Sequence, residues 1–367
     1  MSPLKAFRKG GVHPADRKEL SARAPITPLP VPQTVLVPLI QHIGAPTKAV
    51  VKKGDTVLVG QVLAEPGGFV STVIHSPVSG TVKKLADVPT AGGERTPAIE
   101  IANDGLDTWV DGVDLTATDI DFSAADTFKA RIQQAGIVGM GGAAFPTHVK
   151  LSPPPDSPVD VLVINGAECE PYLTADDRLM LEHPREVLLG IKALQLVLGV
   201  ETVLVGIEDN KPDAYEALQA AATGDLAGIT VHMLRTRYPQ GAEKQLIEAL
   251  LGRRVPPGKL PFAVGVIVQN IGTAFAVFEA LAKNKPLIER VVTVTGRAAG
   301  KPSNFMVRLG TPVSALLEAA EVSDEAVRAM ISGGPMMGRA FRHTEIPVVK
   351  ATSGILLMDA DEFVARQ

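Results

Sequence analysis

The residues best equipped for chemistry lie in two short strings. The first is Gly139-Met140-Gly141-Gly142-Ala143-Ala144-Phe145-Pro146-Thr147-His148-Val149-Lys150. Glycines at this density let successive backbone N–H groups converge on one anion, and a helix opening at Pro146 would add its positive end. The string also satisfies G-x-G-x-x-A, a dinucleotide-binding pattern that requires a preceding strand. Phe128, Ile132 and Ala135 before it are spaced as a helix instead, with Gly136 as its stop. A purely structural glycine turn is therefore the competing reading. The second string, Asn165-Gly166-Ala167-Glu168-Cys169-Glu170-Pro171, sets an amide and two carboxylates directly after the apolar run Val159–Asn165. Ligands of open α/β sheets bind beyond the carboxyl ends of strands, which favours cofactor contact here. For Glu168 and Glu170 the alternatives are solvated loop charges or a helix cap. Cys169 reads as a buried small hydrophobe. His148 is the one histidine inside a candidate ligand string; His42, His75, His183 and His232 show no metal-ligand spacing, so no metal is expected.

Three textures must position these strings. From about residue 30 to 118 the chain is short β-rich pieces punctuated by turns such as Lys53-Gly54-Asp55 and Ser79-Gly80. Two such half-motifs resemble the flattened barrel of biotinyl and lipoyl carrier domains. The stretch between the halves, Gly67–Pro77, contains no lysine, so a swinging-arm role is not expected. From 119 to 285 the pattern alternates between strand and helix. Val159–Asn165, Thr202–Glu208, Gly228–Leu234 and Ala263–Asn270 are apolar on both faces, as in a covered parallel sheet. Val187, Ile191, Leu194 and Leu198 mark a helix opened by Pro184 and stopped by Gly199, and Ala274, Val277, Phe278 and Leu281 mark another. From 286 to 350, two strands, a helix over Pro312–Ala320 and the loop Gly333–Gly338 predict a small β-grasp unit, with 351–367 as a tail and 1–29 as an N-terminal extension. The methionines of that loop, Met336 and Met337, offer a docking surface.

The chain has 367 residues, 36 Lys+Arg against 40 Asp+Glu, and one cysteine. That length accommodates two or three domains. Balanced charge gives no reason to propose nucleic acid as a partner. One thiol excludes an internal disulfide framework and any all-cysteine zinc or iron–sulfur site built from this chain alone. No stretch reaches the roughly 18 apolar residues of a spanning helix, and the N-terminus lacks the apolar core of a secretory signal. A cytoplasmic chain is expected, with attachment to a membrane complex left open.

Five strings resemble the C subunit of Rnf-type ion-translocating electron transport complexes: Gly139–Leu151, Ile164–Leu181, Ile207–Ala214, Tyr238–Leu246 and Gly333–Gly338. The opening Phe7–Ser21 carries the same likeness, so it spans nearly the whole chain. More distantly, the α/β part is similar to the NADH-binding flavoprotein subunit of respiratory complex I. The resemblance implies a Rossmann-like FMN-binding α/β domain, flanked by an N-terminal barrel-sandwich domain and a C-terminal SLBB-type β-grasp domain. It implies hydride exchange between NAD(H) and FMN, with electrons passing through iron–sulfur centres to ferredoxin or membrane subunits and coupled to ion translocation. The flavin would carry the chemistry, leaving no catalytic side chain.

By the same likeness Gly139, Gly141, Gly142 and Ala143 hold the FMN phosphate, and Phe145 stacks on nicotinamide. Lys150 offsets negative charge at the flavin edge or the phosphate. Asn165, Gln269 and Asn270 face the ring's polar edge, with Thr273 following them; Glu168 and Glu170 belong to the cofactor turn, Glu170 receiving the ribose or nicotinamide side of NADH. Tyr238, Gly241 and Glu243 close over the cofactor. Ala167 and Ala242 replace acidic residues of the complex I relative, Ala144 replaces a glycine, and Pro153 falls where an aromatic is expected, which implies a different or weaker grip. The family's C subunits continue into a ferredoxin-like region with [4Fe–4S] clusters, which this chain does not ligate. Implied partners are the other subunits of the complex, NADH and, indirectly, ferredoxin, at the cytoplasmic face of the bacterial inner membrane. The rival reading is a non-catalytic docking protein resembling the A subunit of the sodium-translocating NADH:quinone reductase; flavoproteins that reduce cobalamin fit less well.

Overall fold

A computed structural model describes residues 4–323 and 325–362. Its central sheet has four strands, all parallel, in the order Ile229–Leu234, Thr202–Glu208, Val161–Gly166, Val266–Asn270. These are the four apolar runs read from the sequence, and the reason for their double-sided apolarity is visible in Val161–Gly166. Leu162 and Ile164 pack into the core with the helices Pro184–Leu198 and Ile271–Ala282, while Val161 and Val163 join the opposite core with the helix Glu243–Leu251. Close packing of the two long helices depends on Gly190, where a Cβ would sit 1.9 Å from Ala274 O. Gly199 ends its helix in the left-handed region at φ 65°. Strand order reverses between Val161–Gly166 and Val266–Asn270, where Asn165 and Asn270 are register partners. Such a reversal opens a crevice beyond the strand ends.

The N-terminal β domain pairs a four-stranded sheet (Thr34–Pro38, Arg95–Asn103, Gly80–Pro89, Thr56–Val57) with a three-stranded one (Lys48–Ala49, Val62–Glu65, Ile74–His75). Val35, Val37, Leu63, Ile74, Ile99 and Ile101 fill the space between them.

The third unit corrects two boundaries. Its sheet has six strands, ordered Ile26–Pro28, Ser303–Arg308, Glu289–Thr295, Gly354–Met358, Ala329–Ser332, Arg339–Phe341, with the helix Val313–Ala319. Gly354–Met358 is therefore an inner strand, parallel to Glu289–Thr295, and not the start of a tail. Ile355, Leu356 and Leu357 are fully buried, which explains why an apolar run closes the chain's last described stretch. The final residues of the expected tail, 363–367, lie outside the described residues. At the other edge, Ile26–Pro28 pairs in parallel with Ser303–Arg308, so the extension 1–29 is built into this unit.

The same N-terminal segment straps the α/β domain: Lys5 bridges to Leu234 and Val12 to Tyr238. A second tie joins all three units. Lys350 Nζ, fully buried, donates to Val73 O at 2.9 Å in the β-sandwich and to Gly136 O at 2.7 Å in the α/β domain. No carboxylate pairs with it among the described residues, and burial lowers its pKa from 10.5 to about 7. Above that pH the folded chain has given up a proton the unfolded chain still holds, so stability rises with pH until the unfolded lysine also titrates. We expect urea unfolding to gain stability between about pH 7 and about pH 9, an increment that Lys350→Met abolishes.

Candidate functional site

The glycine-rich loop hangs from the helix Ile271–Ala282. Met140 N donates to Thr273 Oγ1 at 2.9 Å, and Thr273 Oγ1 donates to Val138 O at 3.3 Å. Gly139 N closes the loop on Phe145 O at 2.8 Å. Gly141, Gly142 and Ala143 then stand exposed with no side chain longer than a methyl. A Cβ at Gly141 would meet the Asn270 side chain at 3.1 Å, and Gly142 sits at φ 151°. Ala144, where the complex I relative is expected to carry glycine, is held at φ 50°, the left-handed geometry that glycine adopts without strain. The expected helix at Pro146 is a single turn, Thr147–Lys150, so the backbone amides of the loop matter here and a helix dipole does not.

The loop, the sheet end and the Gly241–Glu243 turn enclose a cavity of about 700 Å³. Gly139, Gly141, Gly142, Ala143, Phe145 and Lys150 line it from one side. Asn165, Gly241, Glu243, Gln269 and Asn270 line it from the other. Pro153 contributes where an aromatic is expected, and Leu260 to Phe262 and Ile43 complete the wall. Neither of these last two contributions was read from the sequence. Leu260 to Phe262 is a short apolar piece in a proline-rich turn, and Ile43 belongs to the β-sandwich, so only the tertiary fold brings them here.

Three amides face this cavity and two are already engaged. Asn165 Nδ2 donates to Gly241 O at 2.8 Å, and its Oδ1 accepts from Ala167 N at 3.2 Å, which fixes the Gly241 turn against the strand end. Asn270 Oδ1 caps its helix by accepting from Thr273 N at 3.3 Å, while Nδ2 donates to Asp176 Oδ2 at 2.6 Å. Gln269 lines the cavity wall, buried, with its Nε2 unpartnered. Lys150 is ion-paired with Glu243 across the opening, so an anion entering here shares that cation.

Glu168 and Thr273 do not face the cavity. Glu168, at φ 42°, turns its carboxylate onto the helix Ala175–Glu182, accepting from Asp176 N at 2.8 Å and Asp177 N at 3.3 Å. The helix-cap alternative thus applies to it. Thr273 is wholly buried beneath the loop it holds. His148 is buried too and lines neither this cavity nor its neighbour.

That neighbour, a second cavity of about 760 Å³, shares Gly141, Gly142, Gly241 and Ala242 with the first. Glu170 and Tyr238 line it, together with Cys169 and the Gly333–Gly338 loop of the β-grasp unit. Glu170 Oε2 accepts from Met336 N at 3.0 Å, which ties that loop to the carboxylate turn, while Oε1 is buried without a partner. Burial raises the Glu170 pKa, opposed by the two loop amides. Burial also pushes the Cys169 thiol up to about 11, consistent with an unreactive small side chain. The whole turn rests on Lys18, a residue whose role the sequence did not disclose. Its buried Nζ donates to Glu170 O at 3.1 Å and to Leu173 O, and lies 3.9 Å from Glu168 Oε2. Among the described residues, no group of three or more His, Cys, Asp or Glu has metal-binding geometry, and no helix is long and apolar enough to cross a membrane.

An exposed glycine loop and an amide-lined hollow lie together at the reversal of a parallel sheet, the place where open α/β sheets bind their ligands. Residues 132–279 match the Nuo51 FMN-binding domain family, and residues 6–106 match the RnfC barrel sandwich hybrid domain. The C subunit of the proton-translocating ferredoxin:NAD(+) oxidoreductase complex of Clostridium ljungdahlii is 48% identical over 353 residues, 96% of this chain and 76% of that one. Its Na(+)-translocating counterpart in Acetobacterium woodii is 47% identical over 350 residues, 95% of this chain and 79% of that one. This chain belongs to the family of C subunits of Rnf-type ion-translocating oxidoreductase complexes. The fold is shared with a solved chain of an NAD+-reducing [NiFe]-hydrogenase in its H2-reduced state, at a TM-score of 0.53 and 20% identity, covering 65% of this chain and 47% of that one. This chain matches about half of that neighbour.

Replacing Lys18 removes the donor to one buried and one partly buried carbonyl and the cation beside a buried carboxylate. Lys18→Met is expected to destabilise the chain by about 3–5 kcal/mol, measured as a lowered urea midpoint.

Proposed function

We propose that this chain holds FMN in the cavity at the sheet end and receives NAD(H) through the adjoining cavity. In this reading it is the hydride-exchanging component of a membrane-bound electron transport complex. Electrons pass between it and iron–sulfur centres that lead to ferredoxin or membrane subunits, coupled to ion translocation. The chain would sit peripherally on the cytoplasmic face of the inner membrane, in contact with the complex's other subunits. The single observation that carries the reading is the convergence of the glycine loop, the Asn165 turn and Gln269–Asn270 on one hollow of about 700 Å³. That volume lies within the range of small-ligand sites, and the relatives, C subunits of ferredoxin:NAD(+) oxidoreductase complexes, support ferredoxin and NAD(H) as the redox partners of this reading.

The residues present fit the group. A phosphate needs donors without obstructing side chains, which the exposed backbone of Gly141 to Ala143 supplies. A ring edge rich in acceptors suits the unpartnered Gln269 Nε2. Bound flavin would contribute exchange between two-electron hydride and one-electron chemistry. The protein's part is to bind and orient. Phe145, Pro153 and Leu260 to Phe262 keep water from one side, Lys150 balances negative charge against Glu243, and Glu170 offers its free oxygen to a hydroxyl or amide donor in the second cavity.

The test is spectroscopic. Purified chain is expected to take up FMN and its flavin absorbance to bleach with NADH under anaerobic conditions. A chain that ignores excess FMN in equilibrium titration overturns the reading and leaves the docking alternative. Gly141→Val, whose Cβ would stand 3.1 Å from the Asn270 side chain in the cavity wall, is expected to reduce FMN uptake at least about tenfold, measured beside the urea midpoint so that loss of binding is separated from loss of stability.

A further inference from the structure

Behind the Asn270 amide lies a carboxylate that no assigned role uses. Asp176 is the second residue of the helix Ala175–Glu182, largely enclosed, and its Oδ2 holds Asn270 Nδ2 at 2.6 Å. The groups facing it come from every element around it. They are the Glu168 carboxylate of the preceding turn, the Asn270 amide and Gly272 N–H at the start of the helix Ile271–Ala282, and the Arg290 guanidinium of the strand Glu289–Thr295. Arg290 spends its N–H groups on the carbonyls of Val291, Lys350 and Met140, and makes no salt bridge to Asp176. Glu168 is better compensated, with two backbone amides and Lys18 beside it. Lys211, Lys18 and Arg178 act on the neighbouring Asp177. Of the two adjacent carboxylates, Asp176 is thus the one with least support for its charge.

We propose that Asp176 is a positioning residue that fixes the Asn270 amide at the cavity wall and takes up a proton from solvent when an anionic ligand enters beside it. The inference rests on the reading that FMN is that ligand. The step forms one O–H bond at the Asp176 carboxyl, draws the proton from buffer, and makes no bond to the ligand; ligand release returns the proton. Burial and the Glu168 charge already raise the Asp176 pKa to about 7, so the group is poised to respond near neutrality. A further negative charge one amide away raises it again, which links ligand binding to proton uptake.

The experiment titrates FMN calorimetrically into wild-type chain and Asp176→Asn at about pH 7, in buffers of different ionisation enthalpy. Wild type is expected to take up more protons per FMN than the variant, by up to about half a proton, the most a half-titrated group can accept. The phosphate's own protonation change is common to both proteins and cancels in the difference. Equal proton uptake in wild type and variant overturns the inference while leaving FMN binding intact. A wild-type chain that binds no FMN overturns the flavin reading and this inference with it. Should Asp176→Asn fail to fold, infrared difference spectra of wild type with and without FMN decide: a new protonated-carboxyl C=O band supports the proposal, and its absence overturns it.

Discussion

The bond from Met140 N to the Thr273 hydroxyl is the constraint on which the site depends. A loop built mostly of glycine and alanine cannot be held by its own side chains, because it has few. It must be gripped from behind, and the grip has to come from an element that is itself immobile. Thr273 satisfies both conditions. It is wholly buried in the first turn of a helix packed on all sides, and its hydroxyl accepts from one end of the loop while donating to the residue just before it. The same helix turn begins at Asn270, so the sheet end, the loop and the helix start form one rigid corner. Preorganisation of this kind spares a ligand the entropy of ordering its own cradle.

Most of the polar side chains around the cavity build the site and leave few atoms to a ligand. Glu168 caps a helix, Asn165 pins the Gly241 turn, and Asn270 is divided between Thr273 and Asp176. Among the described residues lining the two cavities, the buried polar side-chain atoms left unpartnered are Gln269 Nε2, one oxygen of Glu170 and the Thr96 hydroxyl. Buried polar atoms left without partners carry a desolvation penalty, and they persist most readily where another molecule completes them. Gln269 lies on the first cavity and Glu170 and Thr96 on the second, and the two cavities share a wall of glycines.

How much of this could be read beforehand differs from element to element. The four parallel strands were legible because burial on both faces leaves a local mark, an unbroken apolar run. The glycine loop was legible because a run of residues without side chains is visible position by position in the sequence. The strand Gly354–Met358 was not recognised, since its apolar run is short and its partner, Glu289–Thr295, lies some sixty residues earlier. Ile26–Pro28 is only three residues long, and nothing local announces pairing with Asn304. Glu168 and Glu170 look equivalent in sequence, two residues apart in one turn. Their roles separate only through a left-handed φ at Glu168, which directs its carboxylate to the helix and leaves Glu170 to the cavity. Asp176 sat within a recognised string without any cue to its enclosure, which is a property of the helices around it.

The N-terminal strap also sets an order of events during synthesis. Asn304 Nδ2 binds Ala24 O across 280 residues, and the edge strand Ile26–Pro28 has no partner until Ser303–Arg308 has left the ribosome. Lys18 likewise waits for the turn that ends near Leu173. The parallel sheet can assemble earlier from neighbouring units, and Lys18 and its turn are both present by then, whereas Ile26–Pro28 still lacks its partner. Contacts of such sequence separation close late and slowly, leaving the early segment exposed while translation proceeds. The part of the molecule made first is thus among the last to settle.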